Sequence, residues 1–448
     1  MAGGAAEGVG GGGVGEIPRI SPNNVMRIVI LTGGTRGDVQ PYVALGVGLR
    51  HAGHQVCVPA PECFRSLISD AGLEFIPSQA FDPQALTRLP EVQALRQKVV
   101  GRPITALSAI RPIMHIGQRY FASLLDAYWD ASEGADALVS SIWYFGLDCA
   151  EKRGIPHVYA SYQALVTPTR AFPSSLMSPL GLRLDTPLNR LTYYLMYLVF
   201  WPTFRTTLRN WRRQMGLSPH SISSYWRWGQ AQTTVCGFSP SVLPAPTDWL
   251  PHQHVTGYWF LDEPADWQPP AGLVRFLEGG PAPVCVGFGS MVENDPARMT
   301  RVVLDALALS DQRAVLLSGW GGLDDLALPE TVYCLDAIPH GWLFPKVAAV
   351  VHHGGAGTTA AALRAGVPSV VIPFFFDQPF WARRVEQLGA GVRCAASSNV
   401  TAEQLAAVLD KVTVDTALRQ RAAALGEKIR AEDGVGRAVA VIQDHLGQ

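Results

Sequence analysis

Short apolar runs alternate with stretches of three-to-four-residue apolar spacing along most of the chain. MRIVILTGG, from Met26 to Gly34, gathers β-branched and leucine residues and ends in glycines, which predicts a buried parallel strand and a turn. PYVALGVGLRHAGH, from Pro41 to His54, has helical apolar spacing, with Pro41 suited to a first helical position. QVCVPA, from Gln55 to Ala60, is a second strand, so strand, helix and strand form a βαβ unit within about 30 residues. Later strands are expected at Glu74, Ala137 and Pro156.

The scheme restarts at PVCVGFGSM, from Pro283 to Met291, and continues with strands at Arg313, Thr331, Ala349 and Pro368 and a helix over Val302–Leu309. Between the halves, LPAPTDWLPHQHVTGYW and LDEPADWQPP hold many prolines and few periodic apolar positions, which marks a linker. The fold class is therefore α/β, with two doubly wound Rossmann-like domains facing across a cleft. The first spans 26–242, the bridge 243–275 and the second 276–448, with the last helix expected to pack back on the first domain. Residues 1–25 are glycine-rich, lack the basic start and apolar run of a secretory signal, and are expected to be a flexible tail.

RLTYYLMYLVFWPTFRTTLRNWRRQ, from Arg190 to Gln214, breaks the alternation with aromatics and arginines. Its apolar part is too short to span a bilayer. Three readings stay open: a buried helix broken near Pro202, the lining of a large apolar pocket, or contact with a membrane surface through Arg205, Arg209, Arg212 and Arg213.

Composition narrows the classes. The chain has 448 residues, 48% hydrophobic and 16% charged, with a formal net charge of −1, which gives no pull towards nucleic acid. Seven cysteines are scattered without a CxxC pair, so neither a zinc site nor a disulfide framework is indicated, and reduced thiols in a cytoplasm are expected.

Candidate chemistry sits at the predicted strand ends. The turn GGTRGDVQ, from Gly33 to Gln40, holds one acid, Asp38, which reads either as a helix cap or as a general base at a cleft mouth. VVHHGGAGTTAA, from Val350 to Ala361, reads as a strand, a glycine turn and a helix start, with Gly366 a C-cap. Glycines permit close backbone approach, and the first helical amides carry positive partial charge, so the turn suits a phosphate. His353, Gly355, Gly357 and Thr358 are its candidate ligands. Asp377 and Gln378, in PFFFDQPFW, together accept and donate several hydrogen bonds, which suits the vicinal hydroxyls of a sugar.

GGTRGDVQP from Gly33, HHGGAGTTAAALRAGVPSVVIP from His352 and FFDQPFWARRV from Phe375 resemble the GT-B-type nucleotide-sugar glycosyltransferases. Across residues 26 to 445 the chain is most similar to the sterol and lipophilic-natural-product glucosyltransferases of the UDP-glycosyltransferase superfamily. The resemblance implies inverting, metal-independent transfer from a nucleotide sugar, UDP-glucose, with no cofactor, to a lipophilic acceptor at a cytoplasmic or membrane-peripheral location. It implies Asp38 as acceptor base, His353, Gly355, Gly357, Thr358 and Ser290 at the phosphates, and Asp377 and Gln378 at the sugar. Backbone at Ile338 would read the nucleobase, and Trp143, Tyr144, Phe145, Tyr194 and Phe200 would line the acceptor pocket. Three departures stand out. Many relatives have histidine at the position of Asp38, an aromatic at that of Ala337, and sterol-type relatives often have glycine at that of Phe376. Alternatives are a dTDP- or UDP-sugar transferase acting on an antibiotic aglycone, a nucleotide-sugar epimerase, or a non-catalytic lipid- or partner-binding protein on the same scaffold.

Overall fold

A computed structural model of the chain describes residues 25–78, 121–141, 143–164, 167–180, 186–263, 267–289, 296–320, 328–374 and 376–447. Two sheets organise it, each parallel throughout. The first contains β1 (Arg27–Leu31), β2 (Gln55–Ala60), β3 (Glu74–Pro77), β4 (Ala137–Ser140), β5 (His157–Ser161), β6 (Thr234–Cys236) and β7 (Gln253–Val255) in the order β3-β2-β1-β4-β5-β6-β7. The second contains β8 (Val284–Gly287), β9 (Ala314–Leu317), β10 (Val332–Leu335), β11 (Ala349–His352), β12 (Ser369–Val371) and β13 (Gly391–Arg393) in the order β10-β9-β8-β11-β12-β13. In both orders the chain runs outward to one edge and restarts beside the first strand. That reversal opens a crevice at the carboxyl ends of the central strands. β7 lies inside the proline-rich stretch expected as a bridge, and pairs with β6 as the edge of the first sheet.

The helices used below are α1 (Arg36–His51), α2 (Trp143–Arg153), α3 (Asn189–Gln214), α4 (Ile222–Gln230), α5 (Ala356–Ala365), α6 (Gln378–Gln387) and α7 (Gly434–Gly447). α7, the last helix, lies on the first sheet, with Ala438, Val439, Ile442 and Leu446 in one core with Val43, Leu45 and Leu49 of α1. Burial of a large apolar side chain there contributes roughly 2 kcal/mol. A further apolar cluster joins the halves, where Phe172, Cys236 and Phe238 meet Ala356, Ala360, Phe380 and Trp381.

Two helix boundaries differ from expectation, and one expected break is absent. α1 starts at Arg36, not Pro41, because Thr35 supplies the cap; Pro41 sits inside the helix. Proline there deprives the Gly37 carbonyl of its helical donor, and exposed Gly37 leaves that carbonyl to water. α5 starts at Ala356, not Thr358, with Gly355 as N-cap, and ends as expected at Gly366, whose φ is 73°. α3 runs unbroken through Pro202. The carbonyl freed by that proline belongs to Leu198, which is 55% exposed and so has water as an alternative partner.

Candidate functional site

The turn after β1 carries Asp38 as the third residue of α1. Its Oδ2 accepts from the Thr35 backbone N–H at 2.7 Å and from the Thr35 hydroxyl at 2.9 Å. Asp38 is thus a capping residue at the third helical position rather than the N-cap itself. Its other oxygen, Oδ1, accepts a short hydrogen bond from the Tyr162 hydroxyl, which in turn accepts from Gln163 Nε2 at 3.0 Å. A carboxylate oxygen has two lone pairs, so Oδ1 retains one acceptor position after Tyr162 is served. The cap and base readings of Asp38 are therefore compatible: Oδ2 holds the helix and Oδ1 is available to a second hydroxyl.

Gly34 makes this placement possible. Its φ is 131°, and a Cβ there would fall 2.3 Å from Asp38 Oδ2. Gly34→Ala is expected to push the carboxylate aside. A displacement near 1 Å is worth about 100-fold in turnover. The check is turnover against nucleotide affinity in the variant: if the phosphate expected at the second sheet binds there, turnover should collapse while affinity holds.

On the second sheet, β11 delivers two adjacent histidines. Fully buried His352 turns inward, its Nδ1 accepting from the Gly354 N–H at 3.1 Å. His353 lies against α5, since a Cβ on Gly355 would stand 2.4 Å from His353 Nε2. His353 is 9% exposed, and its Nδ1 has no hydrogen-bond partner among the described residues. Burial pushes its pKa down to about 4, helped by His340, so at neutral pH the ring is an uncharged donor or acceptor. Beside it, Ala356, Gly357 and Thr358 form the first turn of α5, where amides lack intrahelical partners. Among the described residues a Cβ on Gly357 would meet nothing within 4 Å, so that turn is open on their side. Free amides, that imidazole and the open side together fit a phosphate. Ser290, expected beside it, lies outside the described residues.

Asp377 caps α6 and Gln378 begins it. Asp377 Oδ2 accepts from Trp381 Nε1 at 3.0 Å, while Gln378 Oε1 accepts from the Phe374 N–H at 2.8 Å. Burial pushes the Asp377 pKa up to about 7, and the charge of Asp38 adds to the rise. The charge of Asp38 thus reaches Asp377 across the two sheets, and α1 touches α5 directly. The charge of Arg36, at the start of α1, likewise helps hold His340 down, at about 4, although burial is the larger cause.

Ile338 is a buried core residue, packed with Leu343, Phe344 and Val347. Phe376, just before Asp377, has φ 54° and is 59% exposed. A non-glycine residue in that region is strained, typically by about 1 kcal/mol. Three of the expected acceptor-pocket aromatics have described side chains. Phe145 is 1% exposed in the core, its ring 5.3 Å from that of Phe121. Phe200 packs on the same core, whereas Tyr194 is 40% exposed, its ring 5.0 Å from that of Trp226. The helix is pinned by its opposite side, so Tyr194 turns outward. The side chains of Trp143 and Tyr144 lie outside the described residues. Tyr162, His340 and Arg36 were missed by sequence reasoning. Tyr162 follows β5 directly, and the rule that sites gather at carboxyl strand ends is the signal that points to it.

Comparison with known proteins fits this geometry. Residues 28–130 match the glycosyltransferase family 28 N-terminal domain, and residues 301–440 match the erythromycin biosynthesis protein CIII-like C-terminal domain. The chain is 36% identical over 448 residues to a sterol 3-beta-glucosyltransferase of Cryptococcus neoformans, covering 94% of this chain and 27% of that protein. To the enzyme of the same name from Neurospora crassa it is 35% identical over 444 residues, covering 95% and 28%. The chain thus spans less than a third of the length of these two relatives. Among solved structures, the calicheamicin glycosyltransferase CalG4 superposes with a TM-score of 0.68 at 19% identity, covering 95% of this chain and 99% of that one. The glycosyltransferase VinC, in complex with dTDP, gives 0.65 at 20% identity, covering 94% and 99%. At such identity these structures establish the fold.

Proposed function

The chain belongs to the family 1 glycosyltransferases of GT-B fold, and from that premise we propose that it transfers glucose from UDP-glucose to a hydroxyl of a sterol or comparable large lipophilic acceptor, inverting the anomeric centre. The observation that carries this reading is the meeting of two half-sites. Asp38 stands on one sheet's strand ends, and the amides of α5 with His353 and the Asp377–Gln378 pair stand on the other's. The identity to sterol 3-beta-glucosyltransferases favours a sterol over an antibiotic aglycone.

The chemistry follows from the charges that develop. The acceptor hydroxyl donates to Asp38 Oδ1 and lies over the anomeric carbon. As the glycosidic bond to the diphosphate breaks, negative charge grows on the leaving group, and the first-turn amides of α5 and the His353 N–H stabilise it. Asp38 takes the hydroxyl proton as the new bond forms. Attack from the face opposite the diphosphate turns an α-linked donor into a β-glycoside. Asp377 and Gln378 hold the sugar hydroxyls and fix its orientation. A donor panel of UDP-glucose, UDP-galactose and dTDP-glucose with a detergent-dispersed sterol tests the proposal. Nucleotide release that requires both UDP-glucose and the sterol supports it; release without acceptor, or none with any donor, contradicts it.

The Asp377 shift gives a pH dependence. Only the carboxylate accepts from two sugar hydroxyls, so a proton competes with the sugar. With the pKa raised to about 7, the group is protonated below that pH and ionised above it. KM for UDP-glucose is therefore expected to rise about tenfold per pH unit below 7 and to level off above it. In Asp377→Asn the slope should vanish, with KM high at every pH. An unchanged slope in that variant would assign the titration to another group.

A further inference from the structure

We propose that the outward face of α3 docks on an anionic lipid bilayer, so that the enzyme meets its lipophilic acceptor at a membrane surface. Leu188 just before the helix and Leu191, Leu195, Leu198 and Val199 within it recur at three-to-four-residue spacing and fall on one side. They are 60%, 51%, 40%, 55% and 45% exposed, a continuous apolar stripe on the outside of the molecule. The same side continues into Arg205, Arg209 and Arg213, which are exposed and make no ion pair with a described residue. α3 and α4 contain no acid at all, and Arg190 and Arg227 add exposed positive charge on the same two helices.

What makes the face outward is how the other side is held. Arg212 is 1% exposed and pairs with buried Asp148 and with Glu151 of α2, the latter at 2.7 Å, while Tyr225 of α4 donates to Asp148. Met196, Tyr197, Phe204, Leu208 and Trp211 fill the core behind them. The helix cannot roll to bury its leucines without breaking that buried ion cluster. Tyr194 and half-buried Trp226, their rings in tilted contact at the flank, are the aromatic type that settles at headgroup level. An apolar half followed by a basic half describes a helix lying in the interface, its leucines among acyl chains and its arginines on lipid phosphates. It does not describe a spanning segment: among the described residues no helix is long and apolar enough to cross a membrane. A second copy of this chain would meet like charge along the arginine half, whereas an anionic surface complements it.

The test is co-sedimentation of the whole chain with vesicles of phosphatidylcholine alone or with about one third phosphatidylserine. Binding is expected only with the anionic vesicles and should weaken as salt is added. Arg209→Gln with Arg213→Gln should lower the partition coefficient about 30-fold, and Leu195→Glu with Leu198→Glu should abolish binding. Both double variants should keep wild-type turnover on a detergent-dispersed sterol, which also shows that they fold. That assay separates the two readings: transfer without vesicle binding overturns the docking alone. Wild-type protein that stays in the supernatant, variants that bind like wild type, or a dimer in sedimentation velocity that the leucine variant dissociates, would each overturn the proposal.

Discussion

Replacing Asp38 by asparagine is expected to lower turnover about a thousandfold while UDP affinity stays nearly unchanged. The amide is nearly isosteric and its oxygen can still accept from the Thr35 N–H and hydroxyl, so the capping contact survives. What disappears is the group that takes the acceptor's proton. Thermal unfolding checks the cap, expected to be worth less than about 1 kcal/mol, and a steady-state assay checks the base. Near-normal turnover in Asp38→Asn would reduce the residue to its structural role.

The second large effect is on the donor side, where fold and binding should move apart. Gly357 is the second residue of α5 and is open on the side of the described residues. An aspartate there is expected to leave the fold intact, since acidic side chains are favourable in a first helical turn. It also sets a negative charge where the diphosphate would lie, so UDP affinity is expected to fall at least about 100-fold. His353→Ala should weaken UDP by roughly tenfold, the value of one good hydrogen bond, together with turnover. Calorimetric titration with UDP reads both variants. Unchanged affinity in either one removes that group from the phosphate site.

Both effects trace to positions that the sequence marks well. Short apolar runs ending in glycine give the strands, because a strand buried on both faces tolerates little else. Both reactive turns follow such runs directly. Less legible were the first turns of the helices. Thr35 and Gly355 start their helices five and two residues before the expected first positions, since a helix's first turn is solvated and carries no periodic signal. Pro202 was misleading for a related reason: the carbonyl it frees belongs to Leu198, an exposed residue with water at hand as a substitute partner. Tyr162 was invisible because a lone tyrosine has no pattern, and its hydrogen bond to Asp38 spans 124 positions of sequence. The outward turn of Tyr194 was not legible, because periodicity separates the two sides of α3 without saying which is outward. That is set by the distant Asp148, which holds Arg212 inside.

One measurement bears most directly on the central claim, that a nucleotide's diphosphate is received by the opening turn of α5 opposite Asp38: a crystal structure of the chain with UDP. The diphosphate oxygens are expected within hydrogen-bond reach of the backbone amides of Ala356, Gly357 and Thr358 and of the His353 ring, with Asp38 facing them across the cleft. A diphosphate bound elsewhere on the second sheet, with those amides still in contact with solvent alone, would contradict the account.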